Sequence, residues 1–256
     1  MRRAFLLSLL SASLAFGGER VVESVVPSLA YGTACWSSIE LRNLGDREVT
    51  AEVEGHRSTG ALVPLTGQAG MKVRLAPGEK ASFRLQVEED TTSSWARIRE
   101  VVPSARLSPV LAIGGITECV ADNKLRTAAR EVAYPAHNPW YSSDVDEATR
   151  GGVIALINTS ERSAQATVCY SSGSLYSVPK EGRATDLLPV CSSSLDLHIP
   201  PFGSREIAVD HEGNTHFSLK TAGDAIVLQM LHSTDPRVKL YTVNSTIKFG
   251  GEAPEP

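Results

Sequence analysis

The chain reads as all-β, with two tandem sandwich modules produced by an internal duplication. Three observations lead there: apolar residues alternate with a period of two, turn residues punctuate the chain at short intervals, and one half matches the other. In 48–54, Val49, Ala51 and Val53 share a face opposite Glu48, Thr50, Glu52 and Glu54. In 80–88, Ala81, Phe83, Leu85 and Val87 oppose Lys80, Ser82, Arg84, Gln86 and Glu88. This is the pattern of strands with one buried face. Asn43-Leu44-Gly45-Asp46, Pro77-Gly78, Asp122-Asn123, Phe202-Gly203 and Asp235-Pro236 mark the turns.

The internal match is strongest where residues 39–53 lie over 154–168 without a gap, pairing Asn43 with Asn158. Residues 75–83 then lie over 199–207, and 118–132 over 231–247, with Asp122 opposite Asp235. A fourth match sets 25–32 against 132–139, on little more than a proline beside an apolar start. Two copies of roughly 110 residues each follow, a common domain size. Residues 122–132 alone suit a helix capped by Asp122. Their counterpart is rich in Val, Tyr, Thr and Ile, so 124–133 is expected to be a strand. It runs into the second module with no Gly/Ser linker.

At the N-terminus, Arg2 and Arg3 precede an apolar run from Ala4 to Phe16, as in a secretory signal cut after Ala15 or Gly17. The run is about 13 residues, short of the roughly 20 that span a bilayer, and no membrane span is expected after cleavage. The divisions expected are a signal at 1–17, modules at 18–131 and 132–250, and a tail at 251–256. The destination is secreted or periplasmic. Cys35, Cys119, Cys169 and Cys191 are then expected to form disulfides, for which three pairings exist. Chain proximity favours Cys169–Cys191 and Cys35–Cys119.

Lys and Arg number 25 against 29 Asp and Glu, a net charge of −4. Losing Arg2 and Arg3 takes it to −6. This gives no basic field, so nucleic acid is not an expected partner. Neither G-x-S-x-G, nor a P-loop, nor G-x-G-x-x-G occurs. His211 and His216 stand five apart around Gly213-Asn214, which suits a turn rather than a zinc helix. Ser142–Glu147 lacks the glycine and final Glu of a twelve-residue calcium loop. No metal, cofactor or catalytic residue is expected.

Binding candidates are aromatic. His137, Trp140 and Tyr141 form a Pro-containing loop able to stack on a sugar or anchor a protein; alternatively Trp140 plugs the module junction. Tyr176 sits in a Ser-rich insertion, 171–196, absent from the first module. Trp95 shares a face with Arg97 and Arg99, as an exposed stack or as part of an inward face. Asn158-Thr159-Ser160 and Asn244-Ser245-Thr246 match the N-glycosylation pattern, though Asn158 suits a turn better.

An apolar strand, an Asn turn, an alternating strand, Leu-x-Pro-Gly and a further alternating strand appear at Ile39–Asn43, Val49–Val53, Leu75–Gly78 and Ala81–Val87. This succession resembles the immunoglobulin-like modules of many secreted bacterial proteins, adhesion-related ones among them. The resemblance implies the sandwich fold and a structural, adhesive or protein-binding role, with an envelope or extracellular protein as partner. It brings no catalytic residues, and the usual Cys…Trp…Cys spacing is missing. A carbohydrate-binding module using the loop aromatics is the alternative function, with a glycan as partner, and a hydrolase built from scattered loops is the third.

Overall fold

The computed structural model describes residues 19–66, 70–85, 92–103, 109–121, 123–130, 132–135, 140–145, 151–172, 176–177, 187–188, 191–222, 226–233 and 241–245. Among them every regular element is a strand. The first half holds β1 (Glu19–Tyr31), β2 (Cys35–Asn43), β3 (Val49–Arg57), β4 (Leu62–Val63), β5 (Met71–Leu75), β6 (Lys80–Leu85), β7 (Thr92–Pro103), β8 (Leu111–Ala121) and β9 (Lys124–Arg130). The second holds β10 (Trp140–Asp144), β11 (Val153–Asn158), β12 (Ala164–Ser171), β13 (Tyr176–Ser177), β14 (Leu187–Leu188), β15 (Ser193–Ile199), β16 (Ser204–Ala208), β17 (His216–Ala222), β18 (Ile226–Ser233) and β19 (Tyr241–Ser245).

The first half forms two antiparallel sheets. One runs β1-β7-β3, with β4 and β5 both on the far edge of β3; the other runs β6-β2-β8-β9. The second half runs β10-β17-β12-β15 and β16-β11-β18-β19. Position for position, these are the same strand orders. Alternation sets which side chains meet between the sheets. Leu29, Ile39, Leu41, Val53, Phe83, Leu85 and Ile98 fill the first core, and Ile154, Leu156, Val168, Ile207, Phe217 and Leu219 the second.

Asn43 and Asn158 close the two halves in the same manner. Asn43 is fully buried and donates through Nδ2 to the carbonyls of Arg47 at 2.7 Å and Leu75 at 2.9 Å. Its Oδ1 accepts from the Gly45 amide at 2.8 Å. Asn158, equally buried, donates to Arg162 at 2.6 Å, Pro200 at 3.1 Å and Ile199 at 3.4 Å, and accepts from the Ser160 amide at 3.1 Å. Each amide ties the end of one strand to a turn and to the opposite sheet. At 0% exposure, Asn158 is a structural clamp and no glycosylation acceptor.

Lys124–Arg130 is a strand, as the match between halves implies, and it ends three residues earlier than expected. Ala133 then bridges Val25 instead. The fourth sequence match is corrected. Ser24 and Tyr141 stand at equivalent places, opposite Ile98 and Leu219, so the counterpart of β1 begins at Trp140, about ten residues beyond where the proline-based match put it. One disulfide joins Cys35 and Cys119, directly paired across β2 and β8 within one sheet. The other joins Cys169 to Cys191 and brackets the β13–β14 pairing of Tyr176 with Leu188.

Replacing Asn43 or Asn158 by Ala leaves buried carbonyls and an amide without partners. Each change should cost about 2–4 kcal/mol, read as a lowered midpoint in urea unfolding with an unchanged slope.

Candidate functional site

The buried ionisable side chains His56 and Arg97 lie where the two halves meet; Glu100 is buried separately within the first half, accepting from the Val110 and Leu111 amides. β7 lies between β1 and β3 and is buried on both faces: Ala96, Ile98 and Val102 enter the first core, while Trp95 and Arg97 point outward at 0% and 9% exposure. Their cover is the second half. Trp95 packs with Val25, Ala133, Ile157 and Val227, and its indole N–H donates to the Phe202 carbonyl at 3.1 Å. The Ser204 amide donates to the Ser58 carbonyl at 2.9 Å, and Glu206 accepts from Ser28 and Ser93 at 3.4 Å each.

Arg97 answers its own charge locally. Its guanidinium is ion-paired with Glu54, its Nε donating to Oε2 at 2.9 Å, and it donates to the Thr159 carbonyl at 3.3 Å. It also lies 4.7 Å from the centre of the Phe202 ring. Burial alone would raise Glu54, but the Arg97 hydrogen bond and the charges of Arg97 and Arg99 outweigh it and hold the carboxyl below 4.5. A buried pair of this kind gains little over an apolar pair, yet losing one partner is expensive.

His56 is 2% exposed, stacked between Trp95 at 4.6 Å and Phe202 at 5.3 Å. Its Nδ1 lies 3.3 Å from the Gly60 carbonyl and its Nε2 3.5 Å from Glu54 Oε2, so each ring nitrogen faces an acceptor. Burial pushes its pKa below 6.5; the nearby Arg97 adds to this, while the Gly60 contact and Glu54 oppose it.

Phe202 itself sits in the left-handed region, at φ 53°. In the match of 75–83 with 199–207 its counterpart is Gly78, at φ 79°. A phenylalanine therefore occupies a turn position that suits glycine, at a cost of about 1–3 kcal/mol. The return is a ring over His56 and Arg97 and a carbonyl aimed at Trp95.

The expected binding residues fall elsewhere, with one exception. Trp95 is neither an exposed stack nor part of the first core, because the second half covers the outward face of its strand. Tyr141 is not in a loop: it belongs to β10 and packs half-buried on the second core, 6.1 Å from Phe217. Trp140 opens the same strand opposite Lys220. His137 lies outside the described residues, as do 146–150 and most of 171–190. His211-Glu212-Gly213-Asn214 is a tight turn, its Asn214 Oδ1 accepting from the His211 amide at 2.8 Å. No group of three or more metal-binding side chains occurs among the described residues. Sequence reasoning passed over Glu54, His56 and Phe202; the signal was the Phe at the glycine position of the repeat.

Trp95→Ala should cost about 3–5 kcal/mol and separate the unfolding of the two halves, so that calorimetry shows two transitions in place of one. For His56, the native pKa lies below the unfolded value, so on acidification the unfolded chain takes up the proton first. Junction stability should therefore fall as pH drops from 6.5 toward the lower native value and level off beneath it. His56→Phe retains the stack and should flatten that part of a stability profile measured by urea unfolding, leaving the decline below 4.5 that belongs to Glu54. No family model, curated protein or solved structure matches the chain.

Proposed function

We propose that the chain is an exported, non-enzymatic protein with a structural, adhesive or protein-binding role at the cell envelope or outside the cell. In this reading it consists of two immunoglobulin-like sandwiches descended from one by duplication. The junction carries the proposal. An indole, an imidazole and a guanidinium are buried there, with a partly buried carboxylate paired to the guanidinium, and together they hold two sheets against each other. A firmly joined pair of modules suits a spacer or a presenting scaffold, where fixed geometry is the useful property.

Duplication is supported by the matching strand orders and by the same amide clamp at Asn43 and Asn158. Export is supported by two disulfides, which persist in oxidising compartments, and by the basic-then-apolar N-terminus. The loop-aromatic carbohydrate reading loses Tyr141, whose ring packs on the core.

Expression of the full chain in a bacterial host with a periplasm tests the export half of the proposal. Mass spectrometry of the periplasmic or secreted fraction should find a start at residue 16 or 18 and both disulfides closed in non-reducing peptide maps. An uncut cytoplasmic protein with four free thiols would sink it. For the structural role, deletion in the source cells should weaken envelope integrity or attachment, and wild type should restore it while Trp95→Ala does not.

A further inference from the structure

We infer that the outer face of the β6-β2-β8 sheet binds an acidic oligosaccharide, a hydroxylated chain bearing carboxylates. This face belongs to the first half, lies on the sheet that does not contact the junction through β7, and stands independently of the export reading.

The face is a grid fixed by strand register. Trp36, Ser38, Glu40 and Arg42 project from β2; beside them stand Arg84, Ser82 and Lys80 of β6 and Glu118, Ile116, Gly114 and Ala112 of β8. A groove of about 430 Å³ runs between Glu40, Arg42, Lys80, Ser82, Ala112 and Gly114. It is an open groove along the strands, a shape that suits an extended chain rather than an enclosed small molecule.

Gly114 is the first indication. The neighbouring Gly115 is imposed by packing, because a Cβ there would run into Val26. At Gly114 a Cβ would meet nothing within 4 Å, and the residue has no left-handed φ. Glycine weakens a strand interior, so neither backbone nor packing accounts for it. What its absent side chain does is keep the groove floor open. A glycine within a strand marks a bulge, a bend or a close approach by a ligand or another backbone, and β8 pairs with β2 through Gly114 without a register shift.

Trp36 is the second. Its ring is half-buried on this face, the indole N–H donating to Glu118 at 2.7 Å and the Arg84 guanidinium lying 5.3 Å from its centre. Ring and guanidinium are thereby fixed in place, an apolar surface with a cation attached. Charge supplies the third. Arg84 stands at one end of the face and the Arg42–Lys80 pair at the other, roughly 20 Å along the strand from Trp36. Between them lies the Glu40 carboxylate, and Glu118 stands at the Arg84 end, accepting from the Trp36 indole. The Arg42–Lys80 pair draws ligand carboxylates to its end, Arg84 lies over the Trp36 ring at the other, and Glu40 between them accepts from hydroxyls. An oligosaccharide with acidic and hydroxyl groups meets both conditions; a polyanion without hydroxyls does not.

Isothermal titration of the full chain with a galacturonic acid hexamer tests the site. Saturable binding should appear, weaken with added salt, and fall by about tenfold or more in Gly114→Val and in the double variant Arg42→Ala/Lys80→Ala. Gly114→Val places a strand-forming residue in open space, so its unfolding midpoint should be no lower than wild type's and lost binding cannot be ascribed to misfolding. No saturable heat with the hexamer, or undiminished binding by Gly114→Val, would overturn the inference. Equal binding of a neutral cellohexaose would overturn the requirement for charge. Equal binding of polyglutamate would reduce the face to a general anion surface, which overturns it as well.

Discussion

Burying the outward face of β7 is the constraint on which the rest of the molecule turns. A central strand of a two-sheet unit ordinarily shows one face to water. Here that face carries Trp95 and Arg97, and both are covered. An indole needs an acceptor for its N–H, and a guanidinium needs its charge balanced. The two needs are met from different sides: Glu54 comes from the adjacent strand β3, the Phe202 and Thr159 carbonyls from the second half. Because the charge is answered within the first half, the second half has only to bring carbonyls and an apolar ring. That division of work lets a buried cation serve as a docking point while its ion pair with Glu54 stays within the first half.

Phe202 shows what the joint costs. The turn between β15 and β16 needs a left-handed residue, and its counterpart between β5 and β6 uses Gly78. Substituting the favoured glycine by phenylalanine would destabilise an isolated unit. In the joined molecule the ring recovers that cost by stacking on His56 and lying beneath Arg97. Backbone strain in one half is thus sustained by contacts with the other, so the halves are coupled energetically as well as placed together.

Much of this fold was legible in the sequence because strands advertise themselves by a period of two and because the same pattern occurs twice. Asn43 and Asn158, aligned without a gap, marked the buried amide that clamps each half in the same way. The β9 region could be told from a helix only through its partner in the other half. Failures had physical reasons too. Alternation says which residues share a face but not what covers it, so Trp95 was placed in water or in the first core when neither holds. A proline makes a weak anchor for alignment, being tolerated in many extended and turn conformations, and it misplaced β10. Gly114 and Gly115 look alike as letters; only the emptiness around the first and the crowding around the second tell them apart.

The joint also differs from a repeating one. Strand register puts His216 and Ser218 of β17 where Trp95 and Arg97 stand on β7, since Leu219 opposes Val168 as Ile98 opposes Val53. Across from them, Cys169 and Ser171 replace Glu54 and His56. Every group that makes the first face a docking surface is replaced, and Cys169 is committed to the disulfide. The second half therefore cannot receive another unit of the same kind in the same way. The two outward faces differ in chemistry at all four positions, although the strands that carry them pair in the same register.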